Sequence, residues 1–198
     1  RLTTHKRRKN NHLPLVALVG YTSAGKSTLL NCLTMSNQIT SEKLFTTLDP
    51  LSKSLQLPCG QNIIVSDTVG FLHELPHHLI EAFKATLEEV KEADLLVHVL
   101  DAHDQRLYQH NQAVFSVLGE LGCQDKPVIS ALNKIDLIDE RSWLEVSKKD
   151  FSEPILISAK TGENLDKLVS GIQNHFSGLS FRLKILIPHS RMELVDFF

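Results

Sequence analysis

A three-layer α/β domain with a mainly parallel sheet is the fold that this 198-residue sequence predicts. Two patterns carry that expectation. The runs "LPLVALVG" (13–20), "QNIIVSD" (61–67), "DLLVHVLDA" (94–102), "KPVISALN" (126–133) and "EPILIS" (153–158) are β-branched-rich and apolar throughout, as strands buried on both faces are. Helical patterns separate them: "KSTLLNCLT" (26–34), "HLIEAFKATLEEVKEA" (78–93), "RLYQHNQAVFSVLGELG" (106–122), "ERSWLEVSKKD" (140–150) and "NLDKLVSGIQNHF" (164–176). In the second of these, Leu79, Phe83, Leu87 and Val90 form an apolar stripe with charges opposite, and Gly122 stands where a helix stop is expected. One further run, "LSKSLQL" (51–57), alternates polar and apolar residues. It reads as an antiparallel edge strand beside 61–67.

Composition narrows the class. With 42% hydrophobic and 22% charged residues the chain has material for an ordinary globular core. No apolar run approaches the ~20 residues that a membrane-spanning helix needs, and no secretory signal is recognisable. Cys32, Cys59 and Cys123 are widely spaced and form no C-x-x-C, which fits reduced, mostly buried thiols in a cytosolic compartment. The net charge of −2 hides an asymmetry. Residues 1–10, "RLTTHKRRKN", hold five basic side chains and no acidic one, so the rest sums to −7 (−2 less the arm's +5). A basic arm on an acidic body suits a phosphate-rich partner such as RNA, although a solvated linker has the same composition.

The pattern divides the chain into a basic arm (1–12), a nucleotide-binding domain (13–178) and the start of a further domain (179–198). In the last stretch "FRLKILI" restarts as a strand and "SRMELVDFF" as a helix whose apolar partners are missing.

The chemistry lies in short phrases at the carboxyl ends of predicted strands, where open α/β sheets bind ligands. "GYTSAGKS", Gly20 to Ser27, matches G-x-x-x-x-G-K-[ST] between a strand and a helix. Gly20 and Gly25 let the backbone wrap, so that N–H groups of Tyr21, Thr22, Ser23, Ala24 and the helix start at Thr28 surround a β-phosphate. Lys26 reaches the phosphates, and the Ser27 hydroxyl suits Mg²⁺. "DTVG", Asp67–Thr68–Val69–Gly70, ends the strand 61–67; Asp67 would hold Mg²⁺ through water, and the Gly70 N–H would meet the γ-phosphate. "FTTLD", Phe45–Thr46–Thr47–Leu48–Asp49, lies where a mobile segment would cover that phosphate, and either threonine could complete the Mg²⁺ shell.

"NKID", Asn133–Lys134–Ile135–Asp136, identifies the base. The two oxygens of Asp136 pair with the guanine N1–H and N2 amine, a contact adenine cannot give, while Asn133 meets the base edge and the Lys134 stem covers the ring. "ISAKTG" then places Ser158, Ala159 and Lys160 in a loop where the Ala159 N–H suits guanine O6. Taken singly, these phrases are ordinary strand-end loops. Four of them in this order make a guanine-nucleotide site.

A rival chemistry is spelled by "HELPH" (73–77), a literal H-E-x-x-H. A zinc site needs both histidines on one intact helical turn, and Pro76 disfavours helix inside that turn. No zinc is expected. Phe71 stands where many nucleotide switches carry a water-positioning glutamine, so no catalytic side chain can be named and slow unassisted hydrolysis is expected.

Together "GYTSAGKST", "LFTTLDP", "DTVGF", "LPHHLIEAFKATLEE" and "NKID" resemble the G domain of HflX-type GTPases, relatives of Obg and Era, over roughly residues 13–176. The resemblance implies a Ras-like P-loop GTPase fold, GTP or GDP as ligand, Thr47 rather than Thr46 as the Mg²⁺-coordinating threonine, and hydrolysis of GTP. It further implies association with the large ribosomal subunit, through RNA and protein, and the splitting of stalled ribosomes under stress. A monomer is expected, cytoplasmic and in part membrane-associated, with ATP binding confined to an N-terminal domain absent from this sequence. The basic arm resembles the family's Arg-rich segment, and 181–198 the start of its C-terminal domain. Ser23 departs from the family's asparagine, which puts potassium-assisted hydrolysis in doubt. Two alternatives share the same phrases: a nucleotide-gated interaction module, and a GTPase of ribosome assembly or tRNA modification.

Overall fold

In the computed structural model, residues 13–34, 51–68, 70 and 88–177 are described. The six strands among them are β1 (Leu15–Val19), β2 (Leu51–Gln56), β3 (Asn62–Asp67), β4 (Leu95–Asp101), β5 (Val128–Asn133) and β6 (Ile155–Leu156). They form one sheet in the order β2-β3-β1-β4-β5-β6, and only the β2–β3 pair is antiparallel. Of the four strands with neighbours on both edges, β1 and β5 are buried at every position and β3 and β4 at all but one. Strands with neighbours on both edges and helices on both faces have no polar side to show. At the edge, β2 alternates between partly buried and exposed residues, as its sequence alternates. The turn into β3 closes with Leu57 N–H to Gln61 O at 2.8 Å, and Gly60 supplies the left-handed residue at φ +89°.

Four α-helices follow: α1 (Lys26–Leu33), α2 (Leu107–Glu120), α3 (Ser142–Ser147) and α4 (Leu165–Ser177). A helical segment at 88–92 leads into β4. Leu29 and Leu30 of α1 and Leu168, Ile172 and Phe176 of α4 pack on one face of the sheet against Val16, Leu18, Val97 and Val99. Val114 and Leu118 of α2, with Val90, cover the other face over Ala17, Val19 and Leu96. Each such fully buried side chain stabilises the fold by about 1.5–3 kcal/mol, so the three layers follow from the apolar pattern. Gly122 ends α2 as expected: it adopts φ +68°, and the Cys123 N–H reaches back to Leu118 O at 2.8 Å.

Three expectations change. The strand expected over 153–158 is two residues long, because pairing with β5 stops at Leu132–Leu156 and the chain turns away into the 158–163 loop. The helix expected to run through 150 becomes 3₁₀ at Lys148–Asp150. The thiols are mostly exposed: Cys123 is buried, but Cys32 lies off the Leu29–Leu30–Leu33 face of α1 and Cys59 sits in the hairpin turn. The basic arm, the 71–87 tract with its "HELPH" phrase, and the 178–198 segment lie outside the described residues. Among the described residues no helix is long and apolar enough to cross a membrane.

Candidate functional site

The chain first builds β2 and β3 on one side of β1, then crosses to build β4, β5 and β6 on the other. Crevices at the carboxyl edge beside such a crossing bind ligands in open α/β sheets. The predicted phrases that fall within the described residues gather at this edge.

On the phosphate side the loop is dictated by backbone sterics. At Gly20 (φ +152°) a Cβ would lie 2.2 Å from the Val99 carbonyl oxygen, and at Gly25 (φ +99°) 2.4 Å from Asn133 Nδ2. Between them Ser23 also adopts positive φ, at 62°. Alternation of left- and right-handed residues turns successive N–H groups to one side and makes an anion-binding concavity. No side chain caps α1, and its first turn has no acidic residue. Lys26 is buried and donates from Nζ to the Gly20 and Tyr21 carbonyls at 3.1 and 3.0 Å. Burial lowers its pKa to about 8 against the opposing pull of Asp67.

The "DTVG" phrase docks on this loop. Ser27 Oγ donates to Asp67 Oδ2 at 2.6 Å, and Thr68 Oγ1 donates to the Leu18 carbonyl at 2.6 Å. A Cβ at Gly70 would come within 2.8 Å of Thr22 Cα, so only glycine lets the backbone approach the loop so closely. The oxygens of Ser27 and Asp67 form the kind of hard donor set that Mg²⁺ takes. Among the described residues no group of three or more His, Cys, Asp or Glu could hold a metal by itself. Phe45, Thr46, Thr47, Leu48, Asp49, Val69 and Phe71 lie outside the described residues.

On the base side the structure gives Asn133 a role beyond the expected one. Its Nδ2 donates to the Ala24 carbonyl and its Oδ1 accepts from the Ala159 N–H, both at 2.9 Å. One buried carboxamide thus ties the phosphate loop to the base loop. The Ala159 N–H, expected to face guanine O6, is engaged by Asn133 because a buried N–H must find a partner. Ser158 Oγ donates to Asp136 Oδ1 at 2.7 Å and accepts from the Thr161 N–H at 3.1 Å. Lys134, in the left-handed region at φ 65°, extends to Asp101 Oδ2 at 2.6 Å, which holds its stem across the rim. The Cys32 thiol reaches the Ala159 carbonyl at 2.8 Å.

Beside the phosphate loop a cavity of about 330 Å³ is lined by Tyr21–Ala24, Asp101 and the start of α2. Tyr21 stacks flat on His110 there, with ring centroids 3.9 Å apart. Asp101 and His110 are additions to the expected site. Asp101 ends a strand, which is a usable signal; His110 carries none.

Residues 15–134 match the model of the 50S ribosome-binding GTPase family. The chain belongs to that family. More narrowly it is a partial HflX-like G domain: it is 48% identical over 170 residues to the GTPase HflX of Lacrimispora saccharolytica, across 86% of this chain and 40% of that protein. The chain spans about two fifths of the length of the curated relatives it matches. Among solved structures it is similar to a GTP-binding protein from Sulfolobus solfataricus in complex with GDP (TM-score 0.69, 29% identity, 89% of this chain, 57% of that one). It is also similar to Era in complex with MgGDPNP and nucleotides 1506–1542 of 16S ribosomal RNA (TM-score 0.67, 30% identity, 91% and 60%).

Proposed function

We propose that this chain is the GTP-binding and GTP-hydrolysing unit of a Mg²⁺-dependent switch protein that works on the large ribosomal subunit. The Asn133 carboxamide carries the reading, because it joins the phosphate-binding and base-reading loops into one site of nucleotide size. Asp136 reads the guanine edge, Lys26 and the loop N–H groups hold the phosphates, and Gly70 senses the γ-phosphate. Ser27 and Thr47 would ligate Mg²⁺, with Asp67 holding it through water; the ion would neutralise phosphate charge. Lys26 supports this: its depressed pKa marks a buried cation that phosphate oxygens would stabilise.

The partner reading rests on the family description. Its finer form is the splitting of stalled ribosomes by a cytoplasmic monomer. The domain boundaries proposed are 1–12, 13–178 and 179–198.

Phe71 in the place of a water-positioning glutamine leads to slow hydrolysis that the partner accelerates. GTP turnover by the full-length protein, measured with and without large ribosomal subunits, is expected to rise at least about tenfold with the subunits; a partner that completes a switch GTPase site can supply 10³ or more. Equal turnover would refute the proposal. Acceleration by small subunits alone would favour an assembly role, which the likeness to Era bound to 16S RNA suggests.

A further inference from the structure

The two base-reading loops are 22 residues apart in sequence and are bridged on their outer side by an ion pair. Arg141, immediately before α3, donates from Nη1 to Glu163 Oε1 at 2.6 Å and from Nη2 to Glu163 Oε2 at 3.3 Å. Two parallel bonds from a planar guanidinium to a carboxylate fix orientation as well as distance. Glu163 is wired into the base pocket through its backbone. Its carbonyl accepts the Ser158 N–H at 3.1 Å, and its N–H donates to Thr161 Oγ1 at 3.4 Å. Ser158 in turn donates to Asp136. A closed ring results: Asp136, Ser158, Glu163, Arg141, and back along the chain to Asp136.

Charge reinforces the ring. Hydrogen bonding to Arg141 holds the Glu163 carboxylate below its usual range, while the negative charge of Asp136 opposes that. Bonding to Glu163, with help from Asp136, raises Arg141. The guanidinium is therefore the shared counter-charge of two neighbouring carboxylates, one of which reads the base. Without it, Asp136 and Glu163 would repel weakly, while Ser158 and Asn133 still hold the loops together.

We propose that Arg141 and Glu163 are positioning residues that latch the two loops and aim Asp136 at the guanine N1–H and N2 amine, and so set discrimination against bases lacking that amine. The inference rests on Asp136 being the base reader, so its test includes that premise. Equilibrium binding of GDP, IDP and ADP is measured on the full chain for Arg141→Ala, Glu163→Gln, the double variant, the reversed pair Arg141→Glu with Glu163→Arg, and Asp136→Ala.

The pair is partly exposed, with side chains at 39% and 40%, so each single change is expected to weaken GDP about two- to fivefold. IDP, which lacks the N2 amine, is expected to weaken less, narrowing the GDP-over-IDP preference about twofold. The double variant should be no worse than either single one, and the reversed pair should recover most of the loss. In 1 M salt the wild type should approach the single variants. If Asp136→Ala keeps its guanine preference, the base-pocket reading fails. If Asp136→Ala loses it while the latch variants keep both affinity and preference, the latch alone is overturned. Equal weakening of GDP and IDP would also overturn it, because a merely loosened loop would give that result. Glu163→Gln keeps the side-chain shape, so it remains informative if Arg141→Ala fails to fold.

Discussion

The phosphate half of the site and the base half are built by different physics. At the phosphate half, contiguous residues 20–27 adopt one backbone path because the space for a Cβ at Gly20 and Gly25 is already taken. At the base half, Asn133, Lys134, Asp136, Ser158 and Ala159 are held by side-chain bonds that reach residues up to 109 positions away. Steric exclusion by the neighbouring strands is abrupt, whereas hydrogen bonds between loops are graded. The first half should therefore fail all at once when altered, and the second by degrees.

Gly20→Ala puts the strongest strain on this contrast. A methyl group 2.2 Å from a strand carbonyl cannot be accommodated without moving β1 or β4. The expected loss is about 3 kcal/mol or more, through overpacking and strain, together with loss of nucleotide binding. Urea unfolding measures it; a loss below about 1 kcal/mol would show that the loop tolerates a side chain.

Asn133→Ala tests whether the halves are coupled. It leaves the Ala24 carbonyl and the Ala159 N–H buried without their present partner, at a cost of about 2 kcal/mol. Hydrogen exchange should rise in both 20–27 and 157–162. Exchange confined to the base loop would mean that the halves are independent.

The smallest effect at pH 7 comes from beneath both halves. His98 on β4 is fully buried beside Val19 and Ser130, with neither ring nitrogen hydrogen-bonded among the described residues. Phe115 packs edge-on against its ring. Burial, helped by the Lys26 charge, lowers its pKa to about 3. The folded state holds this ring neutral, while the unfolded chain takes a proton below about pH 6.5. The stability that the neutral ring provides is thus complete above that pH and is lost as pH falls toward 3, by up to about 1.4 kcal/mol per pH unit. His98→Leu should raise stability at pH 7 by about 1 kcal/mol and flatten the decline between pH 6.5 and 4.5. An unchanged slope in thermal melts across that range would show that His98 does not cause it.

Much of this architecture is legible before folding. β1, β3, β4 and β5 are mostly apolar, with Ser66, His98 and Ser130 buried among them, because helices cover both faces, and β2 alternates because it lies at an edge. The phosphate loop can be read as a string because its glycines, Lys26 and Ser27 fall within eight contiguous residues, although the atoms that exclude a Cβ there belong to Val99 and Asn133. Strand ends are less legible: β6 is short because the chain turns into the 158–163 loop, although the Leu132 carbonyl still accepts the Ile157 N–H at 2.8 Å.

The sequence by itself determined the strands, the edge of the sheet and the phosphate-loop motif, since periodicity and the spacing of contiguous residues are local properties. Only the tertiary structure decided that Asn133 faces inward to join two loops, that Asp101 receives Lys134, and that Arg141 meets Glu163. The Asn133 contact with Ala24 depends on the crossing of the chain between the two halves of the sheet, and the other two on the parallel pairing of β4, β5 and β6. Their partners lie 22 to 109 residues apart, where no periodic pattern reaches.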